Sequence, residues 1–128
     1  METTNFMIID DDADDRFFFK AAVRKIHSSV KFMEANGCEA AIALLRTAED
    51  LPHFIFLDIN MPRLDGRDCL KQLKADAKLQ HIPVIMYSTS FSEESINEFH
   101  TLGASTYLNK PTDLNALPEQ ILEAIKDL

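Results

Sequence analysis

Two short apolar runs in this chain each end in aspartate. Phe6 to Ile9 runs into Asp10, Asp11 and Asp12, and Phe54 to Leu57 runs into Asp58, followed by Asn60, Met61, Pro62, Asp65 and Gly66. A carboxylate at the exit of a buried strand is costly to keep charged unless a positive charge meets it. Two such exits lying side by side would gather carboxylate oxygens at one sheet edge, a donor set suited to a hard divalent cation. Two further strand ends carry groups of complementary chemistry, the hydroxyl of Ser88 and the ammonium of Lys110.

Positioning these residues requires strands that end at a common edge. The chain alternates short apolar runs with amphipathic stretches, and strands are expected near residues 5–9, 30–34, 54–57, 83–88 and 106–108, with a helix after each. The first, third and fourth runs are almost wholly apolar, as in a parallel sheet covered on both faces. Cys38, Ala41, Ile42 and Leu45 recur at helical spacing after Asn36 and Gly37. Leu70 and Leu73 face inward from a helix opening at Asp65-Gly66, and Ile96 and Phe99 from one that stops at Gly103. Three consecutive phenylalanines, Phe17 to Phe19, cannot all face inward from one helix, because neighbouring positions differ by about 100°. Phe18, Ala22 and Ile26 are read as the buried stripe, with Phe19 and Val23 beside it and Phe17 outward. Asn115 is the expected cap of the last helix, whose first turn holds Pro118 and whose core face holds Leu117, Ile121 and Ile125.

Five strand and helix pairs with right-handed crossovers imply an α/β fold, a doubly wound sheet. Ligands of such sheets collect beyond the carboxyl ends of the strands, where the winding reverses. With the first and third strands flanking that point, Asp10, Asp11, Asp58, Ser88 and Lys110 share one rim. Asp12, Asp14 and Asp15 are read separately, as an acidic helix start.

Length and composition bound the alternatives. A chain of 128 residues makes one domain, burying roughly 68% of its unfolded surface. The net charge of −8 and pI near 4.8 argue against nucleic-acid binding, which calls for a clustered basic face. Cys38 and Cys69 have neither metal-ligand nor redox-motif spacing and are expected as two reduced thiols packed in the core. His27, His53, His81 and His100 are scattered, without ligand spacing, and are expected at the surface or at helix ends. The apolar runs are too short for a membrane span or a signal peptide, and a cytoplasmic location is expected.

Taken together, Asp10-Asp11, Asp58 with Asn60-Met61-Pro62 and Asp65-Gly66, Ser88 and Lys110-Pro111 resemble the receiver domain of two-component response regulators, over about residue 5 to the end. The resemblance implies a flavodoxin-like (βα)5 sandwich with a five-stranded parallel sheet in the order 2-1-3-4-5. It implies that Asp58 accepts a phosphoryl group from a histidine kinase or a histidine phosphotransfer protein. Mg²⁺ or Mn²⁺ is then held directly by Asp11 and Asp58, through water by Asp10, and by the backbone carbonyl of Asn60. Lys110 supplies positive charge, Ser88 and Tyr107 act as the switch, and Thr89, Asn60 and Ser90 tune the phosphoryl lifetime. The Lys110-Pro111 bond is expected to be cis. Residues 1–128 would form a stand-alone receiver with no output domain, signalling by protein contact through the fourth helix, fifth strand and fifth helix. It would not be a turnover enzyme. Two other readings compete: a phosphate-independent adaptor, and a Mg²⁺-dependent aspartyl phosphohydrolase resembling the haloacid dehalogenase group. The second is disfavoured because Asn60 stands where those enzymes carry a proton-donating aspartate.

Overall fold

The computed structural model describes residues 3–59, 66–89 and 91–128. Its strands are β1 (Thr4–Ile9), β2 (Val30–Ala35), β3 (Phe54–Asp58), β4 (Val84–Ser88) and β5 (Thr106–Asn109). They alternate with α1 (Ala13–Ile26), α2 (Cys38–Thr47), α3 (Gly66–Ala75), α4 (Glu93–Thr101) and α5 (Leu117–Ile125). The five strands form one sheet in the order β2-β1-β3-β4-β5, and every neighbouring pair is parallel. The chain starts at β1, steps out to β2, then crosses to β3 on the other side. The winding therefore reverses between β1 and β3, as anticipated.

Strand alternation divides the core into two halves. Phe6 and Ile8 of β1, Phe56 of β3, Ile85 and Tyr87 of β4 and Leu108 of β5 pack under α1 and α5. Met7 and Ile9, Ile55 and Leu57, and Val84 and Met86 pack on the opposite face with residues of α2, α3 and α4. Both faces are covered, which explains why the central strands are continuous apolar runs.

Local signals set the helix ends. Asp12 caps α1, its carboxylate accepting from the Asp14 and Asp15 amides, which satisfies donors that the first turn would leave bare. Ser92 and Ser95 form a reciprocal capping box at α4. That helix stops before Gly103, whose φ of 106° is the left-handed conformation that glycine adopts without steric cost.

Four expectations need correction. Within α1 it is Phe19, not Phe18, that lies wholly in the core, with Ala22 and Val23; Phe17 and Phe18 are both exposed. The Phe19 ring meets Phe56 at 4.7 Å and Tyr87 at 6.1 Å, so the facing sheet selects the buried member of the triplet. Ile26 is only partly buried at the margin of the same cluster. Asn115 does not cap α5 with its side chain. A 3-10 turn over Leu114–Ala116 precedes the helix, and the Asp113 carboxylate receives the Asn115 amide. Cys38 and Cys69 are joined as a disulfide, their Cα atoms 5.5 Å apart, within the usual range for such a bond. Each stands in the first turn of its helix, α2 or α3, on one face of the sheet, a proximity that spacing along the chain does not encode. Composition thus gives no argument here for a reducing compartment. No helix among the described residues is long and apolar enough to cross a membrane.

Candidate phosphoryl and metal site

The register of β1 and β3 pairs Ile9 with Leu57. Each chain is one residue short of its aspartate there, so Asp10 and Asp58 leave the sheet side by side. Together with Asp11 they offer carboxylate oxygens that lie within 4.8 Å of one another. The three differ in environment: Asp10 and Asp58 are buried, whereas Asp11 is open to solvent. An all-oxygen set with one solvent-facing member fits Mg²⁺ or Mn²⁺, ions that keep several waters while taking one or two carboxylates.

Asp10 is already engaged by the protein. One of its oxygens accepts the Asp12 amide at 3.0 Å and the other accepts from Lys110 Nζ at 2.9 Å. Both Asp10 carboxylate oxygens are thus met by donors of the protein itself. The Asp10 backbone carbonyl accepts the Arg16 guanidinium at 2.6 Å. Arg16 also pairs with Glu34 of β2, as does Lys20 at 2.7 Å.

Lys110 reaches the site from the residue after β5. Its own amide donates to the Ser88 carbonyl at 2.6 Å, which fixes its backbone beside the end of β4. Its ammonium donates to Asp10 and to Asp15, both at 2.9 Å, and stands 3.7 Å from Asp58 Oδ1. The Tyr87 ring lies beneath it, with the centroid 4.8 Å away. Burial alone would depress this ammonium, but the hydrogen bonds to Asp15 and Asp10 and the charges of Asp10 and Asp58 outweigh it and hold Lys110 protonated well above the ordinary lysine range. Burial likewise pushes the Tyr87 phenol above its usual range, against the pull of the Lys110 charge. The Lys110-Pro111 bond is trans, since no peptide bond among the described residues is cis. This corrects the cis expectation: the long lysine stem reaches the carboxylates from the trans isomer, which is favoured by about 0.5–1 kcal/mol before proline.

Ser88 is buried at the end of β4, with its backbone in register with Asn109. Thr89 is exposed next to it. Tyr107 projects from β5 to the surface, where its ring meets Phe91 at 4.9 Å. Asn60, Met61, Pro62, Asp65 and Ser90 lie outside the described residues. Gly66 has a role beyond starting α3. A Cβ there would stand 2.7 Å from Ile59 Cα and 2.9 Å from the Asp58 carbonyl oxygen, so its lack of a side chain lets α3 approach the strand that carries Asp58.

Asp15 is the residue that sequence reasoning missed. It was assigned to the helix start, yet its carboxylate binds Lys110 as closely as Asp10 does. No local signal marks it: Asp11 precedes the Asp12 cap and lies outside α1, so helical spacing does not tie it to Asp15, and the lysine that sets Asp15 apart is 95 residues away.

A five-stranded α/β sandwich with an acidic trio and a lysine at the β1/β3 reversal defines a class of signalling domain. The family model of the response regulator receiver domain matches residues 6–122, and the chain belongs to that family, the receivers of two-component systems. Among its relatives, the chemotaxis protein CheY-3 of Vibrio cholerae is 30% identical over 115 residues, covering 90% of this chain and 86% of that protein. The probable methanogenesis regulatory protein FilR2 of Methanothrix harundinacea is 26% identical over 125 residues, covering 94% and 80%. The phosphorylated cyanobacterial phytochrome response regulator RcpA superimposes with a TM-score of 0.86 at 27% identity, over 98% of this chain and 93% of that one. The Mn²⁺-bound form of the response regulator Rcp1 gives 0.81 at 25% identity, over 96% and 94%.

Proposed function

We propose that this domain accepts a phosphoryl group on Asp58 and signals by protein contact. The observation that carries the reading is the convergence of Asp10, Asp11 and Asp58 within 4.8 Å under the ammonium of Lys110. In the transfer, an Asp58 carboxylate oxygen bonds to phosphorus as the bond from phosphorus to the donor's imidazole nitrogen breaks. The electron pair leaves with that nitrogen, which takes up a proton. Little covalent chemistry is asked of the protein; positioning and charge neutralisation supply the acceleration. Asp11 and Asp58 would hold a divalent cation, with the Asn60 carbonyl as a further ligand. When bound, that cation offsets the negative charge of the carboxylates and of the phosphoryl oxygens. Lys110 meets the same charge from the β5 side.

The acyl phosphate adds about −1.5 to −2 of charge beside β4. Ser88, buried at the end of β4, is the proposed hydroxyl donor to it, and movement there would open room for the Tyr107 ring, now outward against Phe91. The α4, β5 and α5 face would change with it, a two-state response to a local electrostatic event. A histidine kinase or histidine phosphotransfer protein is the proposed donor. Residues 1–128 are proposed to act as a single receiver whose output is a protein contact, with Thr89, Asn60 and Ser90 setting phosphoryl lifetime.

Radiolabelled acetyl phosphate with Mg²⁺ tests the reading. The wild-type chain should take up one acid-stable, alkali-labile phosphoryl group, and Asp58→Asn should take up none. Label retained on that variant would refute Asp58 as the acceptor.

A further inference from the structure

We infer that Asp15 is a positioning residue that aims the Lys110 ammonium at the phosphoacceptor; the inference rests on the acceptor reading of Asp58. An ammonium has three N–H donors. Asp10 and Asp15 each take one at 2.9 Å. The next carboxylate oxygen, Asp58 Oδ1, stands at 3.7 Å, beyond a hydrogen bond and within reach of a phosphoryl oxygen bonded to Asp58. The Tyr87 ring closes another side of the ammonium at 4.8 Å. Two anchors leave one N–H for the group that arrives at Asp58. With Asp10 alone, the four-carbon stem regains rotational freedom and that direction is lost.

The two anchors are themselves held in register. Asp12 accepts the Asp15 amide at 3.3 Å and the Asp14 amide at 2.8 Å, which fixes the first turn of α1. Arg16, the next residue, donates to the Asp10 carbonyl at 2.6 Å, tying the same turn to the end of β1. Asp15 is therefore placed by a cap and a clamp that both involve the acidic loop. Its side chain is about one-third exposed, whereas that of Lys110 is 13% exposed, so the lysine is more enclosed than the group that holds it.

The test separates aim from charge. With acetyl phosphate and saturating Mg²⁺, Asp15→Asn should lower the phosphorylation rate at saturating donor by about tenfold, as for loss of one charge-assisted hydrogen bond. Half-saturation by donor should stay the same or fall, because one negative charge fewer faces an anionic donor. Asp14→Asn removes the same charge from the adjacent exposed residue without touching Lys110, and should keep the wild-type rate. Asp15→Glu, which retains a carboxylate, should recover at least part of the loss. A second readout needs neither metal nor phosphoryl. The Lys110 ammonium should give a resolved, slowly exchanging nitrogen-proton signal at low temperature in wild type and Asp14→Asn, and should lose it in Asp15→Asn. The inference is overturned if Asp15→Asn stays within twofold of wild type, if Asp14→Asn falls as far, or if the ammonium signal survives in Asp15→Asn. If wild type itself takes up no phosphoryl group, the acceptor reading fails, and the ammonium signal still decides whether Asp15 holds Lys110.

Discussion

Asp58 should be a stability liability that a cation relieves, and its neutralisation gives a measurable gain. Its carboxylate has Asp10 and Asp11 within 4.8 Å and Lys110 at 3.7 Å. At an effective dielectric of about 20, each repulsion comes to about 3.5 kcal/mol and the lysine attraction to about 4.5 kcal/mol. Among these four charges the balance is a net penalty of about 2.5 kcal/mol, which Asp58→Asn removes while keeping the side chain's shape. For a domain of this size that corresponds to a rise of roughly 6–10 °C in Tm. Thermal melts followed by circular dichroism in EDTA measure it directly. Mg²⁺ should then raise the Tm of wild type, by an amount equivalent to about 1.4 kcal/mol at ten times its Kd, and should raise that of the variant much less. A variant that melts below wild type in EDTA, or gains as much from Mg²⁺, would show that repulsion does not dominate at this site.

Gly66→Ala should cost about 1–3 kcal/mol, because the new Cβ meets backbone that must shift rather than a mobile side chain; urea titration should show a lower midpoint, and acetyl phosphate uptake should slow because the displaced backbone belongs to Asp58 and Ile59. Glu34 is held below the ordinary carboxylate range foremost by the Lys20 hydrogen bond, against the opposing effect of burial. Its contribution is therefore full above the unfolded value near 4.5 and fades as the pH falls through the lower folded value. Glu34→Gln should lose about 0.5–1 kcal/mol at neutral pH, as expected for a partly exposed pair, and in denaturant titrations the gap from wild type should close as the pH falls below the unfolded value and through the lowered folded one.

What could be read from the chain alone divides along physical lines. The apolar runs at Phe6 and Phe54 announced buried strands, because continuous apolar residues need cover on both faces. Asp10 and Asp58 stood out because a charge follows each run at once. Helix periodicity located Cys38, Ala41, Ile42 and Leu45, all of which are buried. Hidden from view were facts settled by partners distant in sequence. Asp15 looked like its neighbour Asp14 because the lysine that distinguishes them is 95 residues away. Phe18 and Phe19 were indistinguishable until Phe56 and Tyr87 of the sheet were set against them. Cys38 and Cys69 are 31 residues apart and carry no local sign of their pairing. Asn115 does not cap α5 because the chain makes a 3-10 turn first, capped by Asp113, and α5 then starts without a side-chain cap, a detail below the resolution of propensity.

Lys110 comes after every carboxylate it serves, and the bond it makes to Asp10 spans 100 positions. During synthesis the acidic loop and Asp58 leave the ribosome well before their counter-ion, so a nascent chain stopped short of β5 holds three crowded negative charges with no lysine among them. Completion of the pocket is thus tied to the last strand, and a fragment truncated there lacks both its edge pairing and the charge that makes its centre tolerable.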